Sequence, residues 1–254
     1  MSYDIQYRGP PQAQGSRRYL FVVSHMRSFS SLLCHILGSH PEIDGYAETH
    51  QSYLGRIDLH RLTRRVGQMI GEQPSGRYVM DKLLDDAQQI AANVLERPEV
   101  SVLFLLRNPA DTIDSILSMA RTHGHEGRFS DPEGVVGYYE TRLKQLERYS
   151  AQCVGRAMFV EAETLLSSAD AALGRLAAWL RLREPLSTQY RMFSLTGVSG
   201  YGDYSPNIMC GRLLTDADRE RHPAHGIELP AEVVHRGEAA HASCREVLLR
   251  RSAL

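Results

Sequence analysis

A short polar segment between two apolar stretches holds residues well suited to bind an anion. In LFVVSHMRSFSSLL, residues 20–33, four apolar residues lead into Arg27, Ser28, Ser30 and Ser31, and apolar residues at helical spacing follow. The N–H groups of a helix's first turn bind anions, and arginine adds a fixed charge with forked geometry. The segment therefore predicts a phosphate or sulfate site. Alternatively, Ser28 or Ser30 only caps the helix and Arg27 is solvated.

A second polar cluster, RNPADTIDS at residues 107–115, directly follows the most apolar run of the chain. Its Asn-Pro pair suits the cap and first turn of a helix. Arg107 should therefore stand at the carboxyl end of a buried strand, with Ser115 two turns into the next helix. Alternatively, Arg107 only pairs with Asp111, and Ser115 is a surface serine.

Both segments resemble motifs of the sulfotransferase family. RSFSSLL, residues 27–33, is similar to the R/K-S-G-[ST]-[ST]-L-L loop, which binds the 5'-phosphosulfate of 3'-phosphoadenosine 5'-phosphosulfate (PAPS); Phe29 replaces the usual glycine. RNPxDxxxS resembles the family's 3'-phosphate motif, including the eight-residue step from arginine to serine. The resemblance implies PAPS as donor, bound through Arg27, Ser28, Phe29, Ser30, Ser31, Arg107 and Ser115.

A glycine-rich segment supplies a third, partial resemblance. GYGDYS, residues 200–205, looks like the late family loop that closes over the donor, so Gly202, Asp203 and Ser205 are expected to contact PAPS. Alternatively, the segment is a mobile loop without a catalytic role. After the fourth strand, where many members carry an aromatic residue against the adenine, this chain has Glu-Ala-Glu at 161–163. The residue that holds the adenine is therefore not predicted.

Sulfuryl transfer to an alcohol needs a base for the acceptor proton and positive charge for the transition state. Glu48 lies twenty-one residues after Arg27, the spacing of the catalytic glutamate in protein-tyrosine sulfotransferases. His50 is the alternative base, because histidine titrates near neutrality.

Arg27 and Lys82 are the predicted catalytic cations. Lys82 resembles the lysine that protein-tyrosine and carbohydrate sulfotransferases direct at the sulfate. Alternatively, it lies at a surface edge, paired with Asp81 or Asp85. Because side-chain cations can suffice for a singly charged sulfuryl group, no metal is predicted, and the spacing of His123 and His125 is too weak to indicate one.

These residues require strands that bring them together. Short apolar runs predict strands at 19–24, 78–82, 100–107 and 158–161, and helical periodicity separates them. The alternation predicts an α/β fold of the P-loop NTPase-like, three-layer kind, with a central parallel sheet flanked by helices. The predicted helices are 30–38, 57–71, 84–97, 109–121, 133–150, 164–182 and 230–254.

The composition is that of an ordinary globular protein, with 43% hydrophobic and 23% charged residues and a net charge of -1. It gives no general attraction to nucleic acid. No apolar run is long enough for a membrane span, and no signal peptide is recognised, so a cytoplasmic protein is expected. We predict a flexible leader at 1–16 and a single domain at 17–254. Four scattered cysteines indicate neither zinc nor disulfides.

The combined prediction is a PAPS-dependent sulfotransferase acting on a hydroxyl of a small molecule, lipid or sugar. Acceptor contacts are expected within 50–75 and 120–140, and a homodimer is left open. The alternatives are a non-catalytic binding protein of the same fold, in which Phe29 has closed the donor loop, and a phosphotransferase. The latter would need a P-loop lysine and a magnesium ligand.

Overall fold

Five parallel strands form the centre of the computed structural model, which describes residues 17–124, 126–153, 155–214 and 226–252. The leader predicted at 1–16 lies outside these residues. All four predicted strands are confirmed; β2 was missed, since two residues give no periodicity. The strands are β1 (Arg18–Ser24), β2 (Ile43–Asp44), β3 (Tyr78–Leu83), β4 (Val100–Leu106) and β5 (Ala157–Glu161), in the order β2-β3-β1-β4-β5.

Helices follow most of the strands, as a parallel sheet requires. They are α1 (Ser30–Gly38), α2 (Arg56–Ile70), α3 (Ala92–Leu95), α4 (Pro109–His123), α5 (Pro132–Gln152), α6 (Thr164–Ser167), α7 (Ala169–Leu180) and α8 (Ala231–Arg251), with a 3₁₀ helix at Pro206–Cys210. Within the described residues, no helix is long and apolar enough to cross a bilayer.

Both faces of the sheet are buried, which confirms the predicted three-layer α/β architecture. Along β1, Tyr19, Phe21 and Val23 enter one hydrophobic cluster, which includes residues of α2, α5 and α8. Leu20 and Val22 enter a second cluster with residues of α1, α6 and α7. Successive side chains of a strand point to opposite faces, so a strand covered on both sides is apolar throughout.

Two predicted helices are wrong in part. In the segment 84–97 only α3 is helical, because the carboxylate of Asp85 accepts the Ala87 N–H at 2.8 Å and stabilises a turn. A short polar side chain that bonds the backbone in this way competes with the helix. The predicted helix 164–182 is divided into α6 and α7 at Ser168, whose φ is -148°.

The strand order brings three strand ends together. Because β1 lies between β3 and β4, their carboxyl ends meet at one edge of the sheet. Arg27 follows β1, Lys82 lies near the end of β3 and Arg107 follows β4. Ligands of open α/β sheets bind beyond this edge.

Candidate functional site

The turn between β1 and α1 is tight and tied to the sheet. The Ser24 and Ser28 hydroxyl oxygens are hydrogen-bonded at 2.6 Å, and Ser24 Oγ also donates to the Leu105 carbonyl at 2.6 Å. Within the described part of the chain no side chain caps α1. The alternative of a simple serine cap is therefore wrong, and the first turn of α1 keeps its N–H groups for an anion.

The two predicted phosphate-binding segments, 27–33 and 107–115, lie next to each other. Arg27 Nε donates to Ser115 Oγ at 2.9 Å, and an Arg107 guanidinium nitrogen donates to the Arg27 carbonyl at 2.9 Å. Arg107 also lies 3.6 Å from the Asp111 carboxylate. The two motifs, eighty residues apart in sequence, thus form one polar cluster.

Phe29 has a backbone conformation that favours glycine. Its φ is 61°, in the left-handed region, where a residue with a side chain is uncommon. The ring lies under the Arg107 guanidinium, whose central carbon is 4.3 Å from the ring centroid. The loop therefore has a backbone conformation suited to glycine, and the Phe29 ring is directed at Arg107.

Lys82 is buried inside the site. Its side chain is 1% exposed; Nζ donates to Ser31 Oγ at 2.9 Å and lies 3.3 Å from a Glu48 carboxylate oxygen. The alternative that placed Lys82 at a surface edge, paired with Asp81 or Asp85, is wrong. Strand alternation explains the difference, because Asp81 points to the opposite face of β3.

Both candidate bases lie at this point. Glu48 is 13% exposed, and its second carboxylate oxygen lies 4.0 Å from His50 Nδ1. His50 is 49% exposed and has a φ of 51°. Its Nε2 hydrogen-bonds the Gly200 carbonyl, and its Nδ1, on the side of the glutamate, lies 3.5 Å from Gln88 Nε2.

A buried carboxylate holds the turn between the two bases. Asp81 accepts the Thr49 backbone N–H at 2.9 Å and the Thr49 hydroxyl at 2.7 Å, and it also accepts the Tyr53 hydroxyl. Burial raises the pKa of Asp81 to about 6, against the opposing effect of these hydrogen bonds. Sequence analysis missed Asp81 as a site residue, although its position next to Lys82 in a strand was the available signal.

The glycine-rich segment covers the cations. A Cβ placed on Gly202 would lie 2.9 Å from Ser31 Oγ and 3.1 Å from Lys82 Nζ, so only glycine fits there without displacement. The Asp203 N–H donates to Ser31 Oγ at 2.8 Å, and its carboxylate lies 3.2 Å from Arg27. Burial opposes ionisation of Asp203, but the charge of Arg27 and the Ser205 hydrogen bonds together lower its pKa.

An aromatic cluster fastens the residues just before this segment to α1. His35 Nδ1 lies 2.8 Å from the Ser31 carbonyl and therefore carries the proton, so Nε2 accepts the Thr196 hydroxyl at 2.9 Å. Tyr46 and Phe193 stack beside the imidazole with ring centroids 4.1 Å apart. Burial lowers the pKa of His35 to about 4, so the ring is neutral at physiological pH.

Two tyrosines of α5 hold the loops that follow the strands. The Tyr138 hydroxyl donates to the Leu84 carbonyl at 2.7 Å and accepts the Met26 N–H at 2.8 Å. The Tyr139 hydroxyl donates to the Arg107 carbonyl at 2.8 Å. One helix therefore fixes the loops after β1, β3 and β4.

A buried arginine and a buried histidine add to this scaffold. Arg142 Nε donates to the Ser24 carbonyl at 2.7 Å, and a terminal nitrogen donates to the Leu83 carbonyl at 2.6 Å. His25 Nε2 accepts the Arg107 N–H at 3.1 Å. Sequence analysis missed both residues, since nothing local distinguishes them from other polar residues.

The remaining predicted features lie at the margin. Asn108 caps α4 as predicted, and its own N–H donates to Glu163 at 2.9 Å. The Glu-Ala-Glu run thus supports the Arg107 loop through Glu163. His123 is the last residue of α4, and His125 lies outside the described residues.

The arrangement is chemically suited to bind anionic groups. Three cations, a helix N-terminus and several hydroxyls face one edge of the sheet, with three carboxylates and one imidazole beside them. No family model matches the sequence, and no curated protein matches it.

Solved sulfotransferase structures share the fold. The sulfotransferase domain from the curacin biosynthetic pathway has a TM-score of 0.62 and 18% identity, over 91% of this chain and 98% of that domain. The sulfotransferase domain of the Synechococcus PCC 7002 olefin synthase has a TM-score of 0.57 and 18% identity, over 92% of this chain and 98% of that domain. The sulfotransferase from Alicyclobacillus acidocaldarius has a TM-score of 0.52 and 15% identity, over 94% of this chain and 98% of that chain. At these identities the similarity is one of fold.

Proposed function

We propose that this protein is a sulfotransferase that moves a sulfuryl group from PAPS to a hydroxyl of a small-molecule, lipid or sugar acceptor. The observation that carries the proposal is the convergence of Arg27, Lys82 and Arg107 from three adjacent strand ends, with Glu48 in contact with Lys82 at 3.3 Å. The sulfotransferase fold of the structural neighbours supports it.

We assign donor binding to the two adjacent segments 27–33 and 107–115. The first turn of α1, with Arg27, Ser30 and Ser31, would bind the 5'-phosphosulfate, and Arg107 with Ser115 would bind the 3'-phosphate. Ser28 is fully buried and bonded to Ser24, so we assign it to shaping the turn rather than to direct contact by its hydroxyl. Gly202, Asp203 and Ser205 would close over the donor.

Glu48 is the proposed base. The acceptor oxygen forms a bond to sulfur while the bond from sulfur to the bridging phosphate oxygen breaks, and adenosine 3',5'-bisphosphate leaves. Glu48 takes the proton of the acceptor hydroxyl. Lys82 and Arg27 neutralise the negative charge that develops on the sulfuryl and phosphate oxygens.

The test is calorimetric binding of adenosine 3',5'-bisphosphate to the whole chain. We expect saturable binding, and we expect Arg107→Ala to raise the dissociation constant at least about tenfold, or ~1.4 kcal/mol. Arg175→Ala, which alters an exposed arginine on α7, is the matched control and should bind like the wild type.

Absence of binding by a folded wild-type protein would contradict the proposal. Binding without release of adenosine 3',5'-bisphosphate from labelled PAPS, across a broad panel of hydroxyl acceptors, would instead support the non-catalytic alternative. The acceptor region predicted at 50–75 and 120–140 would then be examined by substitution, once the panel has identified an acceptor.

A further inference from the structure

Phe29 combines a backbone conformation suited to glycine with a ring that contacts Arg107. Its φ is 61°, and the left-handed region is unfavourable for residues with a Cβ. Glycine would adopt this turn without strain. The strain therefore raises the question of what the ring contributes to the loop.

The Phe29 ring and the Arg27 carbonyl both hold the Arg107 guanidinium in place. The guanidinium carbon lies 4.3 Å from the Phe29 ring centroid, and one terminal nitrogen donates to the Arg27 carbonyl at 2.9 Å. Contact with an aromatic face orients the guanidinium plane without using its N–H donors. A terminal nitrogen of Arg107 also lies 3.6 Å from the Asp111 carboxylate, so the ring, the carbonyl and this carboxylate together fix the plane of the guanidinium.

We propose that Phe29 is a positioning residue that gives the donor site its preference for a nucleotide with a 3'-phosphate, by fixing the Arg107 guanidinium. The inference rests on the proposed function, because it takes Arg107 as the 3'-phosphate ligand. It adds a specific role for the residue at which this loop departs from the family pattern.

The test must distinguish positioning of Arg107 by the Phe29 ring from simple packing of that ring. Phe29 is half-buried and packs partly against the hydrophobic cluster that contains α1. Phe29→Leu keeps an apolar side chain there but removes the aromatic face. Phe29→Tyr keeps the face and serves as the conservative variant.

The experiment compares two nucleotides that differ only in the 3'-phosphate, PAPS and adenosine 5'-phosphosulfate, by calorimetry without acceptor. For Phe29→Leu we expect the PAPS dissociation constant to rise about fivefold or more, the range that an aromatic–guanidinium contact supplies. The constant for adenosine 5'-phosphosulfate, which lacks the group that Arg107 is proposed to bind, should rise clearly less, and Phe29→Tyr should match the wild type for both. Circular dichroism verifies that each variant is folded.

The outcomes are distinguishable. If Phe29→Leu weakens both nucleotides equally, or neither, the positioning role is overturned while the proposed function stands. If the wild-type protein binds neither nucleotide, the proposed function fails, and this inference fails with it. If the wild type binds both with equal affinity, Arg107 does not read the 3'-phosphate, and the inference is also overturned.

Discussion

Glu48 has a buried ammonium group on one side and a half-exposed imidazole on the other. The carboxylate lies 3.3 Å from Lys82 Nζ and 4.0 Å from His50 Nδ1. His50 Nε2 bonds the Gly200 carbonyl, so this nitrogen carries the proton, and Nδ1 is the imidazole atom able to accept one. The geometry favours Glu48 as the base, because it alone contacts the cation expected to face the sulfuryl group.

Substitution of the two residues should separate their roles. We expect Glu48→Gln to lower kcat at least about 100-fold, since it removes the general base, while binding of adenosine 3',5'-bisphosphate stays intact. His50→Gln keeps a donor for the Gly200 carbonyl and should lower kcat far less. Release of adenosine 3',5'-bisphosphate with an acceptor found by screening measures both, and the reverse ranking would assign the base to His50.

At the residue scale, what the sequence could predict depended on local pattern. Arg27, Lys82 and Arg107 each stand at or just after an apolar strand, and this position predicts that they lie at the same edge of the sheet. Asp81 and His35 carry no such pattern. Their partners, Thr49 and Thr196, are 32 and 161 residues away, and only the folded chain brings them together.

At the scale of elements, α5 connects the three loops that carry the site. Tyr138 bonds the loops after β1 and β3, Tyr139 bonds the loop after β4, and Arg142 bonds the last residues of β1 and β3. The helical period of 133–150 predicted a buried face but not its hydroxyl and guanidinium contacts. Periodicity identifies which side of a helix is buried, and it carries no information on the backbone atoms at the other end of a hydrogen bond.

Removal of one α5 hydroxyl should therefore affect the donor site as well as stability. Tyr138→Phe leaves the Leu84 carbonyl and the Met26 N–H without this partner, and we expect a loss of about 1–3 kcal/mol in the free energy of unfolding. Binding of adenosine 3',5'-bisphosphate should also weaken severalfold, because Met26 precedes Arg27 in the anion-binding turn.

Tyr78→Phe is the matched control for this prediction. Tyr78 is also buried, and its hydroxyl donates to the Leu180 carbonyl at 3.0 Å, at the opposite end of β3 from the site loops. It should lose a similar amount of stability and keep its nucleotide affinity. Equal loss of affinity in the two variants, measured by calorimetry, would contradict a specific role for α5.

At the scale of the whole molecule, the fold class could be predicted from the sequence, but the order of the strands could not. The alternation of buried strands and amphipathic helices indicates a parallel sheet, and the site follows from where strands end. The pattern does not give the order β2-β3-β1-β4-β5. It also does not give the path of the glycine-rich segment, whose position depends on the contact of His35 with Thr196.

Two buried histidines connect the stability of the molecule to pH. Burial lowers the pKa of His25 to about 3 and that of His35 to about 4, whereas an unfolded histidine titrates near 6.5. The unfolded chain therefore binds more protons as the pH falls below about 6.5, and the folded state loses stability. Asp81 acts in the opposite direction, because burial raises its pKa to about 6 and the folded chain takes up its proton first.

The balance of these three groups predicts that the folded state loses stability in mild acid. Between pH 7 and pH 5 the histidines together should lower the free energy of unfolding by about 4 kcal/mol and Asp81 should restore about 1 kcal/mol, a net loss on the order of 3 kcal/mol. Urea unfolding at the two pH values measures this loss. His35→Gln should reduce this loss by about two thirds, and Asp81→Asn should increase it. In the folded protein both histidines stay neutral over this range, so their hydrogen bonds with the Arg107 N–H and the Thr196 hydroxyl persist, and these two groups should not change the nucleotide affinity. A pH-independent free energy of unfolding would contradict the burial of both histidines as neutral rings.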